Sequence, residues 1–197
     1  MPNRPSSTHP ILLDIPSQLE SDRLLIRAPQ AGDGAAMNEA IRESMTELQP
    51  WMPWAQQIPT VQESEAHLRL AQVKFIERQD LQLLLIEKST GQFVGSSGLH
   101  QIDWQVRKFE IGYWVRTSFT RQGYISEAVR TITEFAIERL GANRIEIRCD
   151  ANNMPSARVA ERCGYTLEGT LRNYKLDSHG SLTNTMIFAR VRGSEYE

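Results

Sequence analysis

The sequence predicts a mixed α+β domain, with a mostly antiparallel sheet, one parallel pair of central strands, and helices on its faces. Three observations predict it. Several short runs alternate apolar and polar residues, the period of a half-buried strand. Other stretches repeat apolar residues every three or four positions, the period of a helix. One helical stretch lies between two strand runs, Lys108–Val115 and Ile145–Cys149. Such a unit joins parallel neighbours through a right-handed crossover. The chain has 197 residues. A domain of that size buries roughly 70% of its extended surface and needs neither disulfides nor a metal to fold.

Each element can be read in order. Arg23-Leu24-Leu25-Ile26-Arg27 alternates as a strand with Leu24 and Ile26 inward. Asp33 is placed to cap a helix running to about Glu43. Two prolines interrupt Gln49–Trp54 and exclude a long regular helix there. Val61 to Gln79 has helical spacing through Ala66, Leu70, Val73 and Glu77. Leu81–Glu87, Phe93–Ile102 and Lys108–Val115 then read as an antiparallel meander, with a turn at Ser89-Thr90-Gly91. Val129, Ile132, Ala136 and Leu140 form one helical stripe, which Gly141 ends. Ile145, Ile147 and Cys149 alternate as a strand. Pro155 opens a helix that Gly164 closes. Strands near Leu167–Tyr174 and Thr183–Arg190 follow, with His179-Gly180 at the hairpin tip. We expect a mobile N-terminal tail over 1–20, one domain over 21–192 and a C-terminal tail over 193–197.

Composition narrows the function. The net charge of −2 gives no support to direct nucleic-acid binding. No apolar run approaches the ~18–20 residues of a membrane span. Met1–Pro10 lacks the apolar core of a signal peptide. Cys149 and Cys163 make neither a disulfide framework nor a zinc spacing. The expectation is a cytoplasmic protein without a metal. Common nucleotide-loop, hydrolase and zinc-protease motifs are absent. His9, His67, His100 and His179 are scattered without ligand spacing and read as surface histidines.

Chemistry concentrates in the segment from Val115 to Ala128. A strand ends, a loop with basic residues follows, and a helix begins at about Gly123. Free N–H groups at a helix start bind anions, and glycine lets a ligand approach the backbone. Arg121 and Arg116 add positive charge. On Lys108–Val115, Phe109, Ile111, Tyr113 and Val115 share one face, while Glu110, Gly112 and Trp114 share the other. Glu110 beside a position without a side chain leaves room for a substrate. Ser156 is a first-turn helix serine. Cys149 reads as buried core. Trp51 and Trp54, between prolines, read as packing.

Four stretches together resemble the GNAT superfamily of acetyl-CoA-dependent N-acetyltransferases, in particular its RimJ/RimL-like ribosomal-protein branch. They are Asp22–Arg27, Phe109–Val115, Thr120–Ala128, and Asn153–Ala157 followed by Cys163–Gly169. The resemblance covers about Ser21 to Arg192. It implies the GNAT fold, in which the two parallel central strands splay apart. It also implies that the loop of Thr120, Arg121, Gln122, Gly123, Tyr124, Ile125 and Ser126 wraps the pyrophosphate of acetyl-CoA. That loop departs from the family pattern at Thr120 and Ile125. Backbone groups of Trp114, Val115 and Arg116 are implied to bond the pantetheine. Glu110 is implied as general base and Ser156 as the acid for the thiolate; the more usual tyrosine position holds Ala160. Asn153 is implied to hold its loop or bond the pantetheine, and Trp51 and Trp54 to border the acceptor. The function implied is acetyl transfer to a primary amine, foremost a protein N-terminus. The alternatives are a small-molecule amine as acceptor, or an acyl-CoA-binding module without turnover. Association as a homodimer is left open.

Overall fold

The computed structural model describes residues 9–197. Eight strands form one sheet: β1 (Gln18–Glu20), β2 (Leu24–Arg27), β3 (Leu81–Glu87), β4 (Phe93–Asp103), β5 (Lys108–Val115), β6 (Arg144–Asp150), β7 (Thr166–Leu176) and β8 (Leu182–Val191). Their spatial order is β1-β2-β3-β4-β5-β6-β8-β7. Every neighbouring pair is antiparallel except β5–β6. Helices α1 (Gly34–Leu48) and α2 (Val61–Ile76) contribute to a core on one face. Helices α3 (Tyr124–Glu138) and α4 (Met154–Arg162) contribute to the core on the other.

The period-two pattern explains both cores. On β5, Phe109 and Ile111 are buried in the layer with Val129, Ile132 and Ala136 of α3. Trp114 is buried in the opposite layer with Met37 and Ile41 of α1, Leu68 of α2 and Phe93 of β4. The two-face assignment of β5 therefore matches the structure.

Four expectations need correction. Asp33 does not cap α1 with its side chain. Its carboxylate instead takes Arg27 at 2.6 and 2.7 Å and the Gln30 N–H at 2.7 Å. The buried stripe of α2 is Ser64, Leu68, Ala71 and Phe75. Ala66, Leu70 and Val73 are exposed, because Leu68 points to the sheet and turns that other stripe outward. Of the expected N-terminal tail, residues 1–8 lie outside the described residues. Gln18–Glu20 pairs with β2, so the sheet begins before Ser21. Beyond residue 192 the chain is also fastened: the Tyr196 hydroxyl donates to the Ala142 carbonyl at 2.9 Å. Among the described residues, no helix is long and apolar enough to cross a membrane.

The start of α2 is a reciprocal cap. The Thr60 hydroxyl accepts the Glu63 N–H at 3.1 Å, and the Glu63 carboxylate accepts the Thr60 N–H at 2.7 Å. Urea denaturation checks the reassigned face. Leu68→Ala should cost about 2–5 kcal/mol, as buried leucines do. Leu70→Ala should stay within about 0.5 kcal/mol. Equal losses would restore the stripe through Leu70.

Candidate active site

β5 and β6 keep register over only three pairs, Lys108↔Arg144, Phe109↔Ile145 and Glu110↔Glu146. Beyond Glu110 the two strands part. The Arg116 N–H donates to the Val94 carbonyl at 2.8 Å. Main-chain groups alternate in direction along a strand, so those of Gly112, Trp114 and Arg116 face β4. Those of Ile111, Tyr113 and Val115 face the gap. This narrows the expected pantetheine contacts. Val115 offers its main chain to the gap, whereas Trp114 and Arg116 spend theirs on β4.

A cavity of about 610 Å³ occupies the gap and continues onto the sheet face beneath α1 and α2. Tyr113, Cys149, Asn153 and Ser156 line one end of it. The Ser156 hydroxyl lies 3.0 Å from the Tyr113 hydroxyl. Tyr113 also donates to the Ser156 carbonyl at 3.0 Å. Burial pushes the Tyr113 hydroxyl well above its ordinary value, so it stays protonated. Burial likewise raises the Cys149 thiol, which keeps it from acting as a ready nucleophile. Asn153 caps α4, accepting the Ser156 N–H at 3.2 Å. Its carboxamide thus holds the loop and fixes where Ser156 points.

The other end holds Glu110, His100 and three tryptophans. Trp51 and Trp54 both line the cavity. Trp54 packs on Trp114 with ring centroids 5.9 Å apart. Glu110 is partly buried, and desolvation raises its carboxyl above the ordinary value. Arg148, 3.5 Å away, opposes that shift. His100 is the cross-strand partner of Glu110. Its Nδ1 lies 2.8 Å from an Asp80 carboxylate oxygen. The ring rests over Gly112: a Cβ there would come within 3.2 Å of it. Gly112 thus makes room for an imidazole. His100 is therefore no plain surface histidine, and its signal lay in the strand register that aligns it with Glu110.

The loop before α3 divides into two halves. The first is spoken for. Arg116 is ion-paired with Glu39 at 2.6 Å and Glu43 at 2.5 Å. The Thr117 N–H donates to Ser44 and the Ser118 N–H to Glu43. Arg116 thus ties the loop to α1 rather than supplying free charge. Thr120 folds back, bonding the Thr117 carbonyl through its hydroxyl at 2.8 Å. The second half is open. Gly123 caps α3 at φ 84, with no side chain closing the helix start. The first main-chain donor into α3 is Glu127, to Gly123 at 3.0 Å. The N–H groups of Tyr124, Ile125 and Ser126 have no partner among the described residues. Arg121 and Gln122 flank this bare helix start. Sequence reasoning missed Arg23 here. Its guanidinium donates to the Gln122 carbonyl at 3.1 Å and lies 4.1 Å from the centroid of the Tyr124 ring. That guanidinium is ion-paired with Glu127 at 2.6 Å, so it braces the loop, and the free N–H groups at the helix start are what fit a pyrophosphate. Among the described residues, no cluster of three or more His, Cys, Asp or Glu could hold a metal ion.

A parallel pair that separates after three residues, followed along the chain by a bare helix start, is the arrangement that the resemblance to acyl-CoA-dependent transferases implies. Residues 23–166 match the family described as the acetyltransferase (GNAT) domain. The chain therefore belongs to the GNAT family of acetyltransferases. It is 29% identical over 117 residues to N-acetyltransferase p20 of Bacillus licheniformis, covering 59% of this chain and 65% of p20. It is 31% identical over 156 residues to YdaF of Bacillus subtilis (strain 168), named as a ribosomal N-acetyltransferase, covering 78% of this chain and 83% of YdaF. Among solved structures, the ribosomal-protein α-N-acetyltransferase RimL in complex with coenzyme A superposes with a TM-score of 0.81. That match has 23% identity and covers 87% of this chain and 95% of RimL. It shows the shared fold.

Glu110 also makes a thermal prediction. Its native pKa lies above the unfolded value. Its contribution is therefore fully present below the unfolded pKa, and stability is lost as pH rises through the native pKa. Glu110→Gln should melt higher than wild type at pH 8, with the difference vanishing below about pH 4. A variant that melts lower at pH 8 would make the Arg148 pairing dominant instead.

Proposed function

We propose that this enzyme acetylates the N-terminal α-amine of a protein, using acetyl-CoA. The observation that carries the reading is the placement of Glu110 and Ser156 at opposite ends of one gap. A proton acceptor stands on the side open to an amine, and a hydroxyl donor stands on the side of α4. Acetyl-CoA, when bound, supplies an acetyl group already activated as a thioester.

The chain's residues would divide the work as follows. Arg121, Gln122 and Gly123, with the free N–H groups of Tyr124, Ile125 and Ser126, would hold the pyrophosphate. The open main chain of Val115 would pair with the pantetheine as an added strand does. A gap-facing N–H of β5 would donate to the thioester carbonyl oxygen as its charge grows. Glu110 would take the proton the amine loses, through a water molecule. Ser156 would give its proton to the departing sulfur and regain one from solvent, while the Tyr113 hydroxyl beside it holds its position. An α-amine titrates at ~7.7–8, against ~10.4 for lysine. A carboxylate acting through water therefore suffices for an N-terminus.

The acceptor assignment draws on the aromatic wall of Trp51, Trp54 and Trp114, which suits a peptide better than a polyamine. The ribosomal names of YdaF and RimL point the same way.

Acetyl-CoA should raise the melting temperature, and Gly123→Asp should abolish the shift by setting a carboxylate against the pyrophosphate. Arg116→Gln should lower the melting temperature while leaving acetyl-CoA affinity within about twofold. A lost affinity there would return Arg116 to the phosphate site. Glu110→Gln should lower kcat by roughly 10²-fold, with Ser156→Ala losing less. The glutamine variant should keep activity mainly at high pH, where the amine is already neutral. Trp54→Ala should raise the peptide KM more than it changes acetyl-CoA affinity. If spermidine is turned over faster than any peptide, the N-terminal reading fails.

A further inference from the structure

A second hollow, of about 550 Å³, opens over β5, β6 and the β7–β8 hairpin. It shares Glu110, Arg148, Cys149 and Lys175 with the main cavity. The two therefore meet where an acceptor amine would reach Glu110. Lys108, Arg148 and Lys175 line its wall. Lys108 has no ion-pair partner among the described residues. Lys175 stands 3.8 Å from Asp150. That carboxylate is already engaged, accepting the Thr183 hydroxyl and the Asn152 N–H, each at 2.9 Å. Arg148 lies between Glu146 at 2.8 Å and Glu110 at 3.5 Å. Glu146 is further bound by Arg144 at 2.6 Å. Once an ammonium draws on Glu110, the wall is left with surplus positive charge.

A second observation is independent of charge. Thr185 is 4% exposed, lines this hollow, and its hydroxyl has no hydrogen-bond partner. A buried hydroxyl without a partner is costly, and an oxygen acceptor in the hollow would satisfy it.

We infer that the hollow is a subsite for an anionic group on the acceptor, a carboxylate carried one or two residues beyond the amine. The inference rests on the peptide reading above and names its substrate class: N-termini followed closely by Asp or Glu. An extended chain advances ~3.3–3.6 Å per residue. With the amine at Glu110, the second or third side chain falls over the hollow. Lys108 and Lys175 would supply charge, and Thr185 a directed donor.

The test measures kcat/KM for three peptides that differ only at the second residue: Ser-Asp, Ser-Asn and Ser-Lys. The wild type should prefer Asp over Asn by about tenfold, the worth of one charge-assisted hydrogen bond, chiefly through KM. Lys175→Glu and Lys108→Glu should each shift the Asp-to-Lys ratio toward Lys. Thr185→Val keeps the shape and should reduce the Asp preference without lowering the melting temperature. Equal use of Asp and Asn, or an unchanged ratio in both charge variants, would overturn the subsite while leaving the peptide reading intact. If all three peptides are inert and small amines are turned over, the peptide reading fails. Aspartate against asparagine as acceptor then decides the subsite: a preference for aspartate that Lys175→Glu removes supports it, and equal use overturns it.

Discussion

Two parallel strands that pair for three residues and then separate leave their facing main-chain groups without partners. Unpaired peptide groups inside a protein are costly. The register of β5 and β6 sets that condition just past Glu110 and Glu146. What lies around the gap follows from it. The bare start of α3 follows β5 along the chain, α4 brings Ser156 to one side of the cavity, and residues of α1 and α2 line the other. An extended ligand arm that pairs with β5 would remove the cost, so that folding and binding draw on the same open edge.

The gap stays open because its borders are held elsewhere. Arg116 is gripped by Glu39 and Glu43 of α1, and Ser44 takes the next N–H along the loop. Glu65 of α2 accepts Arg69 and the N–H groups of Gly32 and Gly34, which pull its carboxyl down to about 2. It thereby ties α2 to the start of α1. These charges fasten one layer to the loop, while the N–H groups of Tyr124–Ser126 stay without partners among the described residues. Burial of Glu110 works in the opposite direction, trading stability for a carboxylate able to hold a proton.

Much of this arrangement was legible in the sequence, and the limits have physical causes. Alternation on β5 separated Glu110 from Tyr113 correctly, because each face packs on its own helical layer. Gly123 and the stripe through Ile132 marked α3 and its bare start. Short β1 was missed, since three residues carry too little pattern to distinguish a strand from a tail. The wrong stripe on α2 was chosen because Leu70, Val73 and Leu68 are equally apolar, and only the sheet decides which turns inward. The charges of Arg116 and the partnership of His100 with Asp80 depend on residues far apart in the chain. No local period announces them. The same is true of Thr185, whose unpartnered hydroxyl exists only through burial.

Amide hydrogen exchange with and without acetyl-CoA tests the gap itself. If its free backbone groups hold the ligand, protection should rise at Tyr113 or Val115 and at Tyr124, Ile125 and Ser126. Arg116, already bonded to Val94, should change little. Protection that rises equally across β4 and β5, or that spares Val115 and the start of α3, would contradict the assignment of this open edge as the acyl-CoA site.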